Sequence, residues 1–315
     1  MFGAGGRSIP TKVADRLAWW VLGGKGRFDT WQRRGYHVQR INFYESIPDT
    51  RALPASLWHG RRELPGIDLA VEEQLSLLES FRSYGDEFRR FPDEPDPSGP
   101  GYHSANTTFL PGDAEVLYCM VRRARPRRVI EVGSGMSTHV FDLALAANRA
   151  EHADAAHYTV VDPRPAAHIA SVASLSDLRV QKVQEVELEA FEALEAGDIL
   201  FIDSTHVVAT GSDVVYLLLE ALPRLRPGVL VHLHDIFLPY EYPRSWLVDE
   251  HFFWTEQYLL AALLTGDSRW RVRWASQYLY RNHRDALIDV IATVARLDPD
   301  PNAKGGPASF WVERA

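Results

Sequence analysis

The 315-residue chain has one cysteine, Cys119, so neither an intrachain disulfide nor a multi-thiolate metal site can be built from it. That scarcity is compatible with a reducing compartment, and a cytoplasmic location is the expectation. Long apolar runs are missing too: nowhere do about 18 consecutive apolar residues occur, which excludes a transmembrane helix. The short apolar patch at 17–22 is followed at once by Gly23, Gly24, Lys25 and Arg27 without a small-residue cleavage site, so it does not read as a signal peptide. Its Trp19 and Trp20 are expected in a buried first helix rather than in a membrane-surface anchor. Basic residues are outnumbered, Lys+Arg 34 against Asp+Glu 42 for a formal net charge of −8, which speaks against a broad phosphate-binding surface and a nucleic-acid partner. Repeats are absent. What is present, 46% hydrophobic and 24% charged residues, is the profile of a globular protein with a sizeable core, in one large or two unequal domains.

Residues 92–101 (Pro-Asp-Glu-Pro-Asp-Pro-Ser-Gly-Pro-Gly) cannot pack as helix or central strand and mark a linker. Ahead of it lie an irregular, aromatic and basic stretch, 1–66, and a segment, 68–91, whose Leu69, Leu75, Leu78, Phe81 and Phe88 predict one amphipathic helix. The chain therefore divides into an N-terminal helical and irregular extension, 1–104, and a main domain, 105–315. In the latter, strand-length apolar runs at 128–132, 158–161, 180–183, 198–202 and 228–233 alternate with helical stretches at 137–150, 166–175 and 213–222. That alternation predicts an α/β fold with a parallel sheet covered on both faces. A helix at 254–265, a strand at 270–274, a further helix ending near Arg296 and a last strand at 309–312 complete the pattern.

The strongest local signal is Val129-Ile130-Glu131-Val132-Gly133-Ser134-Gly135-Met136-Ser137-Thr138, a strand running through a glycine turn into a helix. Glycines let a ligand approach the backbone, and a helix start offers unpaired N–H groups; a plain tight turn has the same appearance. Twenty-nine residues after Gly133 the second strand ends in Asp162, where a carboxylate can accept hydrogen bonds from ribose hydroxyls. A nicotinamide dinucleotide uses similar geometry, but its fingerprint wants glycine or alanine where Thr138 stands, and an acid about 20 residues on.

With these features the sequence resembles the class I S-adenosylmethionine-dependent methyltransferases. The matching segments are Glu131-Val132-Gly133-Ser134-Gly135, Asp162, Ala196-Gly197-Asp198-Ile199-Leu200-Phe201-Ile202-Asp203 and Leu225-Arg226-Pro227-Gly228, within roughly residues 105–315. The resemblance implies a Rossmann-like sheet of seven strands, mostly parallel with the last antiparallel, and S-adenosyl-L-methionine as cofactor. It would place Glu131, Gly133 and Gly135 at the methionine end, with Ser134, Ser137 and Thr138 on the same turn. Asp162 would meet the ribose and Arg164 would flank the adenosine, with Asp203 and Ser204 also beside the cofactor. Phe201-Ile202-Asp203-Ser204-Thr205-His206 and His232-Leu233-His234-Asp235-Ile236-Phe237-Leu238-Pro239-Tyr240-Glu241-Tyr242-Pro243 resemble a bacterial branch whose members often accompany glycan or natural-product gene sets. Phe43-Tyr44-Glu45-Ser46-Ile47-Pro48-Asp49 resembles that branch's N-terminal signature, except that Glu45-Ser46 departs from it.

In open parallel sheets ligands lie outside the carboxyl ends of the strands, where Asp203, Ser204, His206, His234 and Asp235 gather. One explanation is a divalent metal. By similarity to the catechol-type O-methyltransferases its ligands would be Asp203, His234 and Asp235, and the imidazole would suit manganese, iron or zinc better than magnesium. The other explanation is metal-free: His206 or His234 removes the acceptor's proton with a pKa near 6.5, oriented by Asp203 or Asp235. His232 reads as a core histidine. Strand alternation puts His232 and His234 on one face and Asp235 on the other.

Three functional readings follow. The first is methyl transfer to an oxygen of a small-molecule acceptor, a sugar or secondary metabolite, beneath a cover supplied by residues 1–104. The second is a non-catalytic cofactor-binding or scaffold protein of a glycan or natural-product pathway, and the third a nicotinamide-dependent oxidoreductase. His103, Asn106 and Thr107 read either as a flap over the cofactor or as a surface loop. Trp19, Trp20, Trp31, Trp58, Phe43 and Tyr44 line an acceptor pocket or simply pack. Arg122, Arg123, Arg125, Arg127 and Arg128 read as a solvated helix end.

Overall fold

The computed structural model describes residues 13, 16, 17, 21, 25–38, 41, 44–152, 155–300 and 306–315. Trp19, Trp20 and Phe43 lie outside the described residues. Two compact units are present, Met1–Pro54 and Ala55–Ala315. In the first, helix α1 (Lys25–Gln32) is followed by a turn in which Trp31 meets Tyr36 edge-on and Phe28 stacks on His37.

The second unit is built on seven strands among the described residues: β1 (Arg128–Val132), β2 (His157–Val161), β3 (Asp177–Arg179), β4 (Ile199–Ile202), β5 (Leu230–Leu233), β6 (Trp270–Ala275) and β7 (Phe310–Arg314). Their order is β3-β2-β1-β4-β5-β7-β6, with β1 to β5 parallel and β7 antiparallel to both neighbours. Successive side chains leave opposite faces of a strand, so each strand feeds two cores. Val129, Ile199 and Phe201 pack on one face, where α2 (Val71–Ser80), α3 (Asp113–Ala124) and α4 (Met136–His152) lie. Ile130, Leu200, Ile202, Val231 and Leu233 pack on the other, with α5 (Glu256–Gly266). Burial on both faces is why these strands read as continuous apolar runs.

The proline-rich run 92–101 is tied at both ends into the first core, since Phe91 packs edge-on against Tyr102 and Tyr118, and Leu77, Leu78, Phe81 and Phe88 belong to the same core as Val129. Arg122 corrects the picture of a solvated arginine cluster. It is buried, and its guanidinium bonds Glu87 at 2.8 Å and Glu151 at 2.6 Å and also reaches Asn148, so it ties α3 to α4 and to the turn 85–88. Arg123, Arg125 and Arg127 are exposed.

Several elements are shorter than their periodicity predicts. The third strand lies at Asp177–Arg179 rather than 180–183: the register Thr159↔Asp177 to Val161↔Arg179 ends there, Val180 is exposed beyond it, and Val183 is buried from a 3-10 turn. The predicted helix 68–91 stops at Ser80 and continues as a 3-10 turn and a single turn from Gly85. Residues 166–175 supply only a 3-10 turn, Ala167–Ser171, and 213–222 pass from α through a π turn at Leu217–Ala221. The last helical stretch is divided at His283 into α6 (Ser276–Asn282) and α7 (Arg284–Val290).

Candidate active site

From β1 the chain leads one way to β2 and β3 and the other way to β4 and β5, which opens a crevice outside the carboxyl ends of β1 and β4. The glycine turn lies there. Gly133 has φ +83°, donates its N–H to the Val161 carbonyl at 3.0 Å, and leaves no room for a side chain against Asp203. Gly135 differs: a β-carbon there would meet no protein atom within 4 Å. The turn is held from the β2 side by Asp162, whose Oδ2 accepts from the Ser134 N–H at 3.1 Å and hydroxyl at 2.6 Å while Oδ1 accepts from the Arg164 N–H at 2.7 Å.

Glu131 holds the turn from behind. It is fully buried and accepts hydrogen bonds from Ser137 Oγ at 2.6 Å, Thr138 Oγ1 at 3.0 Å and the Tyr158 hydroxyl. Burial outweighs these three donors and pushes its pKa up to about 8. Glu131, Ser137 and Thr138 are interior, and together they fix the turn, Thr138 Oγ1 also accepting the Gly135 N–H at 3.1 Å.

Beside the turn, β4 ends in Asp203 and β5 in His234. Asp235 has φ +56° and His206 φ +60°, left-handed conformations that are costly for residues other than glycine and that cluster at functional sites. The left-handed turn corrects the strand-alternation argument, because it brings Asp235 round to the His234 side, 3.4 Å from His234 Nδ1. Asp203 Oδ1 lies 3.3 Å from His206 Nε2 and Asp235 Oδ2 lies 3.6 Å from it. One ligand atom from each of Asp203, His206 and Asp235 falls within 4.8 Å of the others. His206 thus takes the place expected of His234. The imidazole of His234 is buried, with Nε2 3.6 Å from Asp113, Nδ1 3.4 Å from Asp235 and 3.9 Å from Asp203, and its ring against Phe109, so it borders the acid cluster from the interior side.

The electrostatics follow from that crowding. Burial disfavours a charged imidazole, yet Asp203 and Glu256 together lift His206 to about 10. His234, flanked by Asp235, Asp203 and Asp113, is also pushed well above the ordinary histidine range despite its burial. Asp203 is held at about 2, burial being outweighed by His234 and His206. His232 matches its core reading: it is buried, stacks on Phe201 at 4.0 Å, meets Ser309 Oγ at 2.9 Å and is pushed well below the ordinary range by burial.

Three residues come to the site without having been singled out in the sequence. Glu256, at the start of α5, has Oε2 2.9 Å from His206 Nδ1, and the Trp254 ring lies 4.4 Å from the same imidazole. Asp113, at the start of α3, accepts from the N–H groups of Ala308 and Ser309 and from Ser276 Oγ. No local motif marks them; an acid opening a predicted helix is common, and only the packing of α3 and α5 against the strand ends brings these carboxylates in. Of the suggested flap, Asn106 bonds the backbone of His103, Thr108 and Phe109 within its own loop. Ser204 Oγ is buried beside Asp203 with no hydrogen-bond partner among the described residues.

The fold is that of the class I methyltransferases. An antiparallel β7 between β5 and β6 separates it from the dinucleotide-binding order, in which the sixth strand follows the fifth directly. Residues 130–236 match the sequence profile of a methyltransferase domain. An uncharacterized protein of Archaeoglobus fulgidus is 31% identical over 134 residues, 41% of this chain, and the match spans only 59% of that relative's length. Similar solved structures include the Mg-SAM form of CmcI, at 15% identity and TM-score 0.35 over 73% of this chain and 84% of that one. A candidate methyltransferase of Thermobifida fusca YX is 11% identical with TM-score 0.40 over 84% of this chain and 98% of that one. Among the described residues no helix is long and apolar enough to cross a membrane.

Proposed function

We propose that the protein transfers the methyl group of S-adenosylmethionine to an oxygen of a small-molecule acceptor, with a divalent cation held by Asp203, His206 and Asp235. The observation that carries the reading is the meeting, at one crevice, of the Gly133–Gly135 turn with the Asp203–His206–Asp235 cluster. The residues suit both groups. Open space at Gly135, the Asp162 carboxylate and the unpartnered Ser204 hydroxyl suit the cofactor, while two carboxylates and an imidazole suit a cation such as manganese, iron or zinc.

A sulfonium methyl is already activated, so the protein must chiefly align the acceptor oxygen and assist loss of its proton. The bond from sulfur to methyl carbon breaks as the bond from oxygen to carbon forms, leaving S-adenosylhomocysteine, and the hydroxyl proton leaves to solvent. A bound cation supplies positive charge that acidifies the acceptor hydroxyl and offsets the carboxylates. Asp162 and Ser134 hold the cofactor's ribose side, and Asp203 and Asp235 orient the acceptor. The crowding of the Asp203, Asp235 and Glu256 carboxylates around His206 supports the cation reading. The likeness of 201–206 and 232–243 to a branch accompanying glycan and natural-product gene sets supports a sugar or secondary metabolite as acceptor.

Calorimetric titration with S-adenosylhomocysteine and with NADH, each with and without Mn2+, tests the reading. Binding of the first and not the second is expected. Binding of NADH alone would restore the oxidoreductase reading, and cofactor binding without turnover across a broad acceptor panel would favour a non-catalytic module.

A further inference from the structure

Glu256 is a buried carboxylate, 1% exposed, and among the described residues its Oε1 has no hydrogen-bond partner and its Oε2 has only the imidazole of His206. Among the described residues no lysine or arginine forms an ion pair with it. Burying a carboxylate costs several kcal/mol unless it is paired, so a carboxylate spent on a single histidine needs a reason at that histidine. His206 is constrained in three further ways. Its φ of +60° is a strained conformation, its carbonyl accepts the N–H groups of Thr255 at 2.9 Å and Glu256 at 3.1 Å, and Trp254 lies against its ring, 4.4 Å between centroids. Residues 254–256 thus clasp His206 at backbone and ring together, with Thr255 Oγ1 also accepting the Val208 N–H at 2.7 Å.

We propose that Glu256 is the positioning residue of the site, holding Nδ1 of His206 so that Nε2 is presented to the space between Asp203 and Asp235. The inference rests on the reading of Asp203, His206 and Asp235 as a cation site. A histidine ligand's second nitrogen is commonly held by a carboxylate that fixes ring orientation and raises basicity toward the metal, and Glu256 stands in that relation to His206. Trp254 fixes the remaining freedom of the ring by packing.

The test is titration of wild-type protein, Glu256→Gln and Glu256→Ala with Mn2+, read by the electron paramagnetic resonance of free Mn2+, with S-adenosylhomocysteine affinity and melting temperature measured on the same samples. The expected result is a loss of about 10- to 100-fold in Mn2+ affinity for the alanine variant, less for the glutamine variant, with S-adenosylhomocysteine affinity unchanged. A merely structural carboxylate would lower the melting temperature and leave Mn2+ affinity alone, and unchanged Mn2+ affinity in both variants overturns the inference. If the alanine variant does not fold, the glutamine variant decides. If wild type and Asp203→Asn alike take up no Mn2+, the cation reading itself has failed. The orientation of His206 is then read from isotope-labelled histidine spectra. A low-field Nδ1–H resonance present in wild type and absent from Glu256→Gln sustains the positioning role. Its persistence in the variant, or its absence from wild type, overturns it.

Discussion

A β-carbon at position 133 would stand 2.0 Å from the carbonyl oxygen of Asp203. The glycine turn and the end of β4 are therefore in backbone contact, and the two halves of the site, glycine turn and acid cluster, cannot be separated without disturbing both. A backbone obstacle cannot swing aside as a long side chain can.

Two glycine substitutions should consequently behave in opposite ways. Gly133→Ala combines a left-handed φ with a backbone clash and is expected to lose more than about 2 kcal/mol in chemical unfolding. A β-carbon at position 135 meets no protein atom within 4 Å beyond its chain neighbours, so the melting temperature of Gly135→Val should stay close to wild type while S-adenosylhomocysteine binding is lost. A Gly135 variant that binds normally would mean that the turn does not face the cofactor.

Asp162→Ala removes the acceptor of the Ser134 and Arg164 bonds together with the proposed ribose contact. Hydrogen bonds to charged groups are worth about 1.5–3 kcal/mol, so S-adenosylhomocysteine affinity should fall by roughly 10- to 100-fold in calorimetry. Unchanged affinity would remove the ribose assignment.

Chelation should abolish methyl transfer, and Mn2+ should restore it better than Mg2+ because one of the three proposed ligands is an imidazole. Asp203→Asn and Asp235→Asn should each suppress both Mn2+ uptake and turnover. Full activity after exhaustive chelation would be fatal to the cation.

Glu131 makes a prediction about pH. Its folded pKa, about 8, is above its ordinary value of 4.5, so between those values the folded state keeps a proton that the unfolded state has released. Stability from this group is complete below pH 4.5 and declines as pH rises toward 8, with a slope of at most about 1.4 kcal/mol per pH unit. Glu131→Gln is expected to flatten that decline in denaturant unfolding followed across this range. Parallel profiles for the two proteins would show that Glu131 is charged in the fold.

Much of this arrangement was legible in the residues themselves. Apolar runs located β1, β2, β4 and β5, because a parallel strand inside the sheet packs both of its sides; β7, buried between β5 and β6, reads in the same way, while the edge strand β6 shows as the alternation of Trp270, Val272 and Trp274 with Arg271 and Arg273. Gly133, Asp162 and Asp203 were found because each closes such a run, and ligands of an open sheet collect where those runs end. The edge strand β3 was misplaced because it is only three residues long, carries Asp177 and Arg179, and leaves the apolar Val180 exposed beside it.

What the sequence by itself determined, then, was the sheet and the strand ends that carry chemistry, since periodicity and turn residues act within a few positions along the chain. Only the tertiary structure decided which groups meet there. It turned Asp235 round through a left-handed residue, buried Glu131 behind the turn, and set His234 between Asp113 and Asp235. It also brought Glu256 to His206 from 50 residues away, completing with Asp203 and Asp235 a cluster that no spacing announces. Such meetings depend on how α3 and α5 pack against the sheet, a property of side chains far apart in the chain rather than of any one segment.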